Sequence, residues 1–338
     1  MKRLIVLTFL STLFICCHGE EVEMPEDVYR KVSKDKTRWV ANARGAKATE
    51  RFCVVDDLGV PVPDASVMGV WGTPSSNAAT FEGLTDSKGV FTADGVTRDM
   101  VRYIVKKDGF YTSEGEVRYI DTWTVPAVKD GRWQSSNATR RIVLKRMRNI
   151  GKLAVPNCRG TIEFDAPVQD EWLPFDLEVF DWNAPYGAGK YPDVLLRFHG
   201  RKAAWNDFTS TMEVCFTNNP HAGVYELKKD LFSCFKTVYK ADSNAVYRSS
   251  LDYKCERTAS GQETERMLDR NSYLVFRTRT KIDDKGNLKS AHYGVIQGAW
   301  AFDGKSMRFS DACFNSREND VDVEDGLILR RQQDYETW

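Results

Sequence analysis

Between residues 52 and 144 the chain reads as short runs of alternating apolar and polar positions cut by turn residues: 52–55, 66–71, 89–92, 100–106, 116–119 and 140–144. Alternation gives each strand one face to bury, and the intervening turns are too short for crossover helices. The pattern predicts an antiparallel β-sandwich. Gly59, Gly89 and Gly109 stand where Asp-containing turns need a positive φ. Residues 122–137, with Pro, Gly and two Trp, read as a long loop before the last strand.

From residue 147 onward the pattern continues in a second β-rich unit. Strands are expected at 161–164, 175–180, 194–198, 211–216 and 224–227, with 306–309 and 326–330 closing the sheet. The clearest pair is 273–282 with 288–300, a long hairpin around Asp283-Asp284-Lys285-Gly286-Asn287. Residues 263–268 (ETERML) are the best helical candidate. The expected organisation of the 338 residues is a signal at 1–19, a charged leader at 20–50, a β-sandwich at 51–146 and a β-rich domain at 147–338. That last domain reads as a second sandwich or as a lectin-like jelly roll.

The N-terminus reads as an export signal. Met1-Lys2-Arg3 precedes an apolar run from 4 to 17, and His18-Gly19-Glu20 turns polar, with Gly19 as the small residue at a cleavage point. The run is too short for a comfortable membrane span, and no later stretch spans either. A lipid anchor at Cys16 or Cys17 is the alternative to soluble, extracytoplasmic export, although Leu13-Phe14-Ile15 lacks the small residue expected before such a cysteine. The leader reads as partly disordered, docking through a short helix with Val28, Val32 and Trp39 on one side. Removal of the signal leaves Cys53, Cys158, Cys215, Cys234, Cys255 and Cys313, which serve either as three disulfides or as small buried hydrophobes. Asn137-Ala138-Thr139 is a glycosylation sequon, meaningful only in a eukaryotic secretory host.

One stretch carries a resemblance. The run Val54-Val55-Asp56-Asp57-Leu58-Gly59-Val60-Pro61-Val62-Pro63-Asp64-Ala65-Ser66-Val67 resembles the start of the carboxypeptidase regulatory-like family. Thr85-Asp86-Ser87-Lys88-Gly89-Val90-Phe91 is similar to that family's T-D-x-x-G-x-F turn and strand, and Val105-Lys106-Lys107-Asp108-Gly109-Phe110-Tyr111 to its later strand end. The departure is the long insert 72–82. The resemblance covers roughly residues 51–145. It implies an N-terminal immunoglobulin-like, transthyretin-like β-sandwich with an accessory role rather than catalysis, followed by a second antiparallel β-rich domain in a mainly β protein.

Charge and motifs narrow the chemistry. Lys plus Arg and Asp plus Glu both number 48, so nothing global favours nucleic acid or an anionic membrane. His199, His221 and His292 lack H-E-x-x-H or His-Cys spacing, which disfavours a zinc peptidase; no P-loop, G-x-S-x-G elbow or dinucleotide fingerprint calls for a cofactor. The best candidate ligand site is the loop holding Asp181, Trp182, Asn183, Tyr186, Tyr191 and Asp193: aromatic rings stack on sugars while carboxylates and amides bind hydroxyls. The competing reading is a structured loop whose aromatics plug the end of the sandwich. Asp165, Asp170, Glu171 and Asp176 support a glycosidase pair only where two of them meet across a cleft. Aspartates in turns at 56–57, 283–284 and 320–325 raise a structural Ca²⁺ site, without EF-hand spacing. Arg277 and Arg279, two apart on one strand, are expected on a single face, either contacting an anion or simply solvated. The expected function is an exported, non-enzymatic module that binds glycan or a cell-surface protein, or one with a structural role; a polysaccharide hydrolase with an accessory sandwich is the alternative.

Overall fold

The computed structural model describes residues 31, 33–72, 78–121, 125–134, 139–148, 161–217, 220–261, 263–266, 269, 271–296, 300–310 and 312–324. The expected signal, Val28, Val32, Cys158, Asn137 of the sequon and the strand expected at 326–330 lie outside them. The protein is mainly β, built from several antiparallel sheets. It divides into two units: the chain up to Met147 together with Asp230–Lys236, and Arg148–Lys229 together with the chain from Thr237 onward.

The first unit contains helix α1 (Lys36–Arg44) and strands β1 (Ala46–Asp56), β2 (Ser66–Trp71), β3 (Ala79–Leu84), β4 (Val90–Thr97), β5 (Met100–Lys106), β6 (Ser113–Arg118), β7 (Val128–Lys129), β8 (Arg132–Trp133) and β9 (Thr139–Leu144). One sheet is ordered β3-β2-β5-β6; in the other, β1 pairs with β4, β8 and β9, and β7 pairs with β8. Phe52, Val54, Val67, Trp71, Val101, Tyr103, Val105 and Leu144 form the core. The pairings of β1 with β8 and β9 are parallel, a local departure within otherwise antiparallel sheets. Inward-facing alternation is the same for either direction, so the pattern alone does not distinguish them.

Three parts of this unit differ from the sequence expectation. Trp39 is 67% exposed; α1 instead buries Ala41 and Arg38, with Asp35 capping it by accepting from Thr37 N at 2.9 Å. The loop expected at 122–137 contains β7 and β8. Trp133 there is fully buried, stacks on Tyr119 at 5.6 Å and donates from Nε1 to Thr97 O at 3.0 Å. Finally, Asp230–Lys236 completes the first unit's core from far along the chain. Phe235 stacks on Tyr111 at 4.9 Å, Val143 N donates to Phe232 O at 2.7 Å, and Lys145 pairs with Asp230 at 3.2 Å. Burial pushes the Lys145 ammonium below its ordinary pKa, against the pull of Asp230.

The second unit contains β10 (Thr161–Asp165), β11 (Leu173–Asp176), β12 (Asp181–Trp182), β13 (Val194–Ala204), β14 (Asp207–Phe216), β15 (Gly223–Lys228), β16 (Ser250–Arg257), β17 (Glu263–Arg266), β18 (Ser272–Ile282), β19 (Leu288–Ile296), β20 (Ala301–Phe302), β21 (Ser306–Ser310) and β22 (Ala312–Asn315). The sheets are ordered β12-β11-β13-β14-β16-β17, β15-β18-β19-β22 and β10-β21-β20. Their inner faces meet around Phe175, Phe198, Met212, Phe276, Trp300, Met307 and Phe314. The other face of the β15-β18-β19-β22 sheet is buried too, with Tyr273, Val275, Tyr293 and Val295 against Ala241, Tyr247 and Val323. Residues 263–266 form a strand, not the expected helix, because they extend β16 through Lys254↔Arg266 to Arg257↔Glu263, and cross-strand pairing overrides a short helical preference.

One turn is used three times. Asp56, Asp86 and Asp283 each accept, through Oδ1, the N–H groups two and four residues on, at 2.8–3.0 Å. Gly59, Gly89 and Gly286, at φ 81, 72 and 82°, each close the turn onto the aspartate carbonyl. These carboxylates are occupied by backbone donors, and among the described residues no cluster of His, Cys, Asp or Glu is placed to hold a metal ion. Both Gly59→Ala and Gly89→Ala force a side chain into the left-handed region. Only at Gly89 would the new Cβ meet backbone, with Val54 O at 2.3 Å. Urea denaturation of the full chain is expected to show a loss of about 1–2 kcal/mol for Gly59→Ala and a clearly larger one for Gly89→Ala; equal losses would refute the close-approach account.

Candidate functional site

The loop nominated from sequence is held from below by a buried ion network. β11 runs antiparallel to β13 and β12, so Phe175 pairs with both Val194 and Trp182, and Asp176 with Asp181. The strand expected to run to residue 180 ends at Asp176, and Phe180 adopts φ 54° in the turn that follows. Asp176 and Asp193 therefore come together at the base of the loop although they are far apart in sequence.

Each carboxylate is fully engaged. Asp176 Oδ2 accepts Lys190 N at 2.8 Å and Tyr191 N at 3.0 Å, while Oδ1 accepts Glu178 N at 2.9 Å. Asp193 Oδ2 accepts Leu177 N at 3.0 Å, and Oδ1 accepts the Thr278 hydroxyl at 2.9 Å. Asp181 folds the loop on itself, Oδ1 accepting Trp182 N and Oδ2 accepting Ala188 N, both at 2.8 Å. Gly187 and Gly189 are required by space. A Cβ on Gly187 would lie 2.4 Å from Trp182 O, and one on Gly189 2.8 Å from Asp181 O.

Arg279 closes the network. It donates from Nε to Asp193 Oδ1 and from Nη2 to Asp193 Oδ2, each at 3.0 Å, from Nη2 to Asp176 Oδ1 at 3.0 Å, and from Nη1 to Glu178 Oε2. Its guanidinium lies between the Tyr191 ring at 4.1 Å and the Phe314 ring at 4.7 Å. Burial pushes the Asp193 carboxyl above the ordinary range, more strongly than Arg279 pulls it down. At Asp176 burial also pushes up, but the backbone donors and Arg279 outweigh it and the carboxyl lies below its usual range. Burial opposes the charge of Arg279 as well, and Asp193 and Glu178 outweigh it.

Arg277 and Arg279 do not share a face, which corrects the sequence expectation. The β18–β19 register slips between Thr278↔His292 and Lys281↔Ser290, and Arg279 sits in the bulge at φ 50°. The extra residue turns Arg279 onto the side of Thr278 and Phe314. Arg277 stays on the opposite side, stacked over Tyr247 at 3.9 Å and donating to His221 O at 2.6 Å and Ser243 O at 2.9 Å. Neither is a solvated surface arginine.

Of the nominated ligand residues, Trp182 is 4% exposed and packs edge-on to Phe175 at 5.1 Å and Phe198 at 5.9 Å. It is core, not a stacking platform, because its strand pairing with β11 points the indole inward. Asp193 is buried with it. Asn183 shapes the loop through its backbone, donating to Pro174 O at 3.0 Å and accepting from Tyr186 N at 3.1 Å. Tyr186 and Tyr191 face solvent, 45% and 53% exposed. The other nominated acids are dispersed. Asp165 accepts from Ser306 at 2.7 Å and pairs with Lys305 at 3.2 Å, and Asp170 pairs with His199 at 2.8 Å. His199 lies within β13, His221 Nε2 donates to Gly286 O, and His292 stacks on Phe314. Among the described residues no disulfide joins Cys53, Cys215, Cys234, Cys255 and Cys313, of which Cys255 and Cys313 are buried. The bulge at Arg279 had no signature in the sequence, since alternating Arg-Thr-Arg-Thr is what a regular strand also shows.

No family model matches this chain, and no curated protein matches it. Among solved structures, 3-chlorocatechol 1,2-dioxygenase from Rhodococcus opacus 1CP aligns over 31% of this chain and 61% of its own, at 14% identity and a TM-score of 0.25. Chlorocatechol 1,2-dioxygenase from Pseudomonas putida aligns over 30% and 61%, at 16% identity and 0.25. Catechol 1,2-dioxygenase from Acinetobacter radioresistens aligns over 32% and 54%, at 12% identity and 0.23. The aligned part spans less than two thirds of each of these proteins, and likeness at this level carries no argument about fold or chemistry.

Replacement of Arg279 by Gln leaves Asp193 and Asp176 buried without their cation. The expected destabilisation at pH 7 is about 3–5 kcal/mol. With Arg279 gone both carboxyls titrate higher, so protonation relieves the variant first. Its deficit relative to the parent narrows as pH falls from 7 toward 5. Urea melts at both pH values check this, and a deficit independent of pH would refute the charge argument.

Proposed function

We propose that this is an exported, non-enzymatic binding module whose ligand contacts lie on the loop around Tyr186 and Tyr191. The observation that carries the reading is the network beneath that loop. Asp176, Asp181 and Asp193 spend their acceptors on loop backbone, and Arg279 ties the loop base to β18. A loop fixed in this way presents its outer tyrosines in one geometry, which lowers the ordering cost of binding. Tyr191 is held by the Arg279 guanidinium beneath it and keeps its outer surface in water. A tyrosine ring of this kind stacks on a sugar or packs against a protein side chain.

A hydrolytic reading draws less support. Glycoside hydrolysis needs two carboxyl groups free to act on opposite sides of a bond. The two acids that meet here are bridged by one guanidinium at hydrogen-bonding distance. The first unit is then an accessory β-sandwich, the role that the carboxypeptidase regulatory-like resemblance implies, and the basic-then-apolar N-terminus supports extracytoplasmic delivery.

A glycan-array screen of the secreted protein tests this reading. Binding is expected for the parent and is expected to fall by about tenfold or more in a Tyr186→Ala, Tyr191→Ala double variant with an unchanged melting temperature. Undiminished binding of every glycan by that variant would exclude the loop. Trp182→Ala is unsuitable as a probe, because loss of a buried indole costs about 3–5 kcal/mol of stability.

A further inference from the structure

The open face of the six-stranded sheet carries an organised surface separate from the loop. Along β13, Leu196 and Phe198 point into the core, so Arg197, His199 and Arg201 point out; on β14 the outward residues are Thr209, Thr211 and Glu213, and on β16 Asp252, Lys254 and Glu256. The registers align these as rungs: Arg197–Glu213–Asp252, His199–Thr211–Lys254 and Arg201–Thr209–Glu256. Next to Leu173 at the start of β11 stands Trp172, 42% exposed, with the Arg197 guanidinium 4.7 Å from its ring.

The indole is held in place by a chain of contacts. Arg197 donates to Glu213 Oε2 at 2.5 Å and to Oε1 at 2.9 Å, a two-point clamp across the β13–β14 ladder. These bonds lead the rise of the Arg197 pKa and the fall of the Glu213 pKa, so both remain charged. On the neighbouring rung Asp170 Oδ1 lies 2.8 Å from His199 Nδ1. An ordinary solvated sheet face has no need of an open indole, nor of a charged pair clamped beneath it. Trp172 here is a rigid aromatic ledge at one end of a row of hydrogen-bonding groups.

The geometry points to a binding site for a neutral oligosaccharide lying across the strands, with one sugar ring on Trp172 and its hydroxyls on the rungs beyond. The ligand class follows from charge. Arg197 is balanced by Glu213, His199 faces Asp170, and Arg201 pairs with Asp207 at 3.3 Å; the other charged groups of the rungs are Asp252, Lys254 and Glu256. A polyanion meets these carboxylates and a polycation meets the guanidiniums, whereas hydroxyls donate to the carboxylates and accept from the guanidiniums. From β11 to β16 the face is three strand spacings wide, about 14 Å, which gives an extended ligand several rungs to contact. This proposal stands whether or not Tyr186 and Tyr191 bind anything.

Affinity electrophoresis of the full chain in gels containing hydroxyethylcellulose, galactomannan or arabinoxylan tests it, with polygalacturonate as the anionic comparison. The expected result is retardation by at least one neutral polymer, weakened about tenfold or more in Trp172→Ala and preserved in Trp39→Ala, which removes an open indole from the first unit. A melting temperature equal to the parent's shows that Trp172→Ala remains folded, as expected of a half-exposed ring. Retardation by none of the neutral polymers overturns the proposal, as does retardation by polygalacturonate alone. Retention that survives Trp172→Ala but is lost in the Tyr186→Ala, Tyr191→Ala variant assigns binding to the loop and overturns it as well.

Discussion

The second unit depends on a single cation that is mostly out of water. Arg279 holds Asp193 by a two-point fork and Asp176 by a third bond, and it reaches Glu178 besides. Burying one guanidinium with three carboxylates is favourable only if nearly every lone pair finds a donor. The chain meets that requirement with backbone: the amides of Leu177, Glu178, Lys190 and Tyr191 all point at Asp176 or Asp193. The loop conformation and the ion network are therefore one structure. Removing the cation strands the acids, and removing the acids leaves the loop amides without acceptors. A β-bulge makes the arrangement possible, because only the extra residue in β18 brings Arg279 to the face where Asp193 lies.

Local signals in the sequence were reliable where the physics was local. Asp-x-x-Gly before an apolar run specifies its own turn: the aspartate accepts the amides two and four residues on, and the glycine supplies the positive φ, as Asp56, Asp86 and Asp283 all show. The strands flanking those turns were legible for the same reason. What could not be read was pairing at a distance. The parallel match of β1 with β9 and the stacking of Phe235 on Tyr111 depend on which apolar residue meets which, and alternation carries no such address. Trp133 shows the limit in another way. A tryptophan among Pro, Gly and polar residues reads as loop, yet a two-residue strand and one hydrogen bond to Thr97 place it in the core.

The same limit governs the candidate site. Composition placed aromatic, amide and carboxylate groups together in residues 181–193, and they are together. Their roles divide by direction, which composition cannot express. Trp182 and Asp193 turn inward and hold the loop, while Tyr186 and Tyr191 turn outward. Trp172 was passed over because it sits one position before a buried leucine in a short strand, next to acids that looked like ordinary surface. Its partner Arg197 is distant in sequence and becomes its neighbour only once β11 and β13 are paired.

The contrast between these two arginines separates support from presentation. Arg279 is sandwiched between rings, with Tyr191 above it, and its charge is consumed by acids that fold the loop. Arg197 lies at the surface, spends one edge on Glu213 and rests against an indole that remains open to solvent. In water a lone ion pair of this second kind contributes little to stability, because screening and side-chain entropy offset its attraction. What the clamp does accomplish is to restrict Arg197 and, through it, Trp172. A large apolar ring fixed in water is unfavourable for the free protein and becomes favourable only when something covers it. That asymmetry distinguishes a surface shaped to receive a ligand from one that is merely polar, and it is what the half-open indole of Trp172 adds to this sheet face.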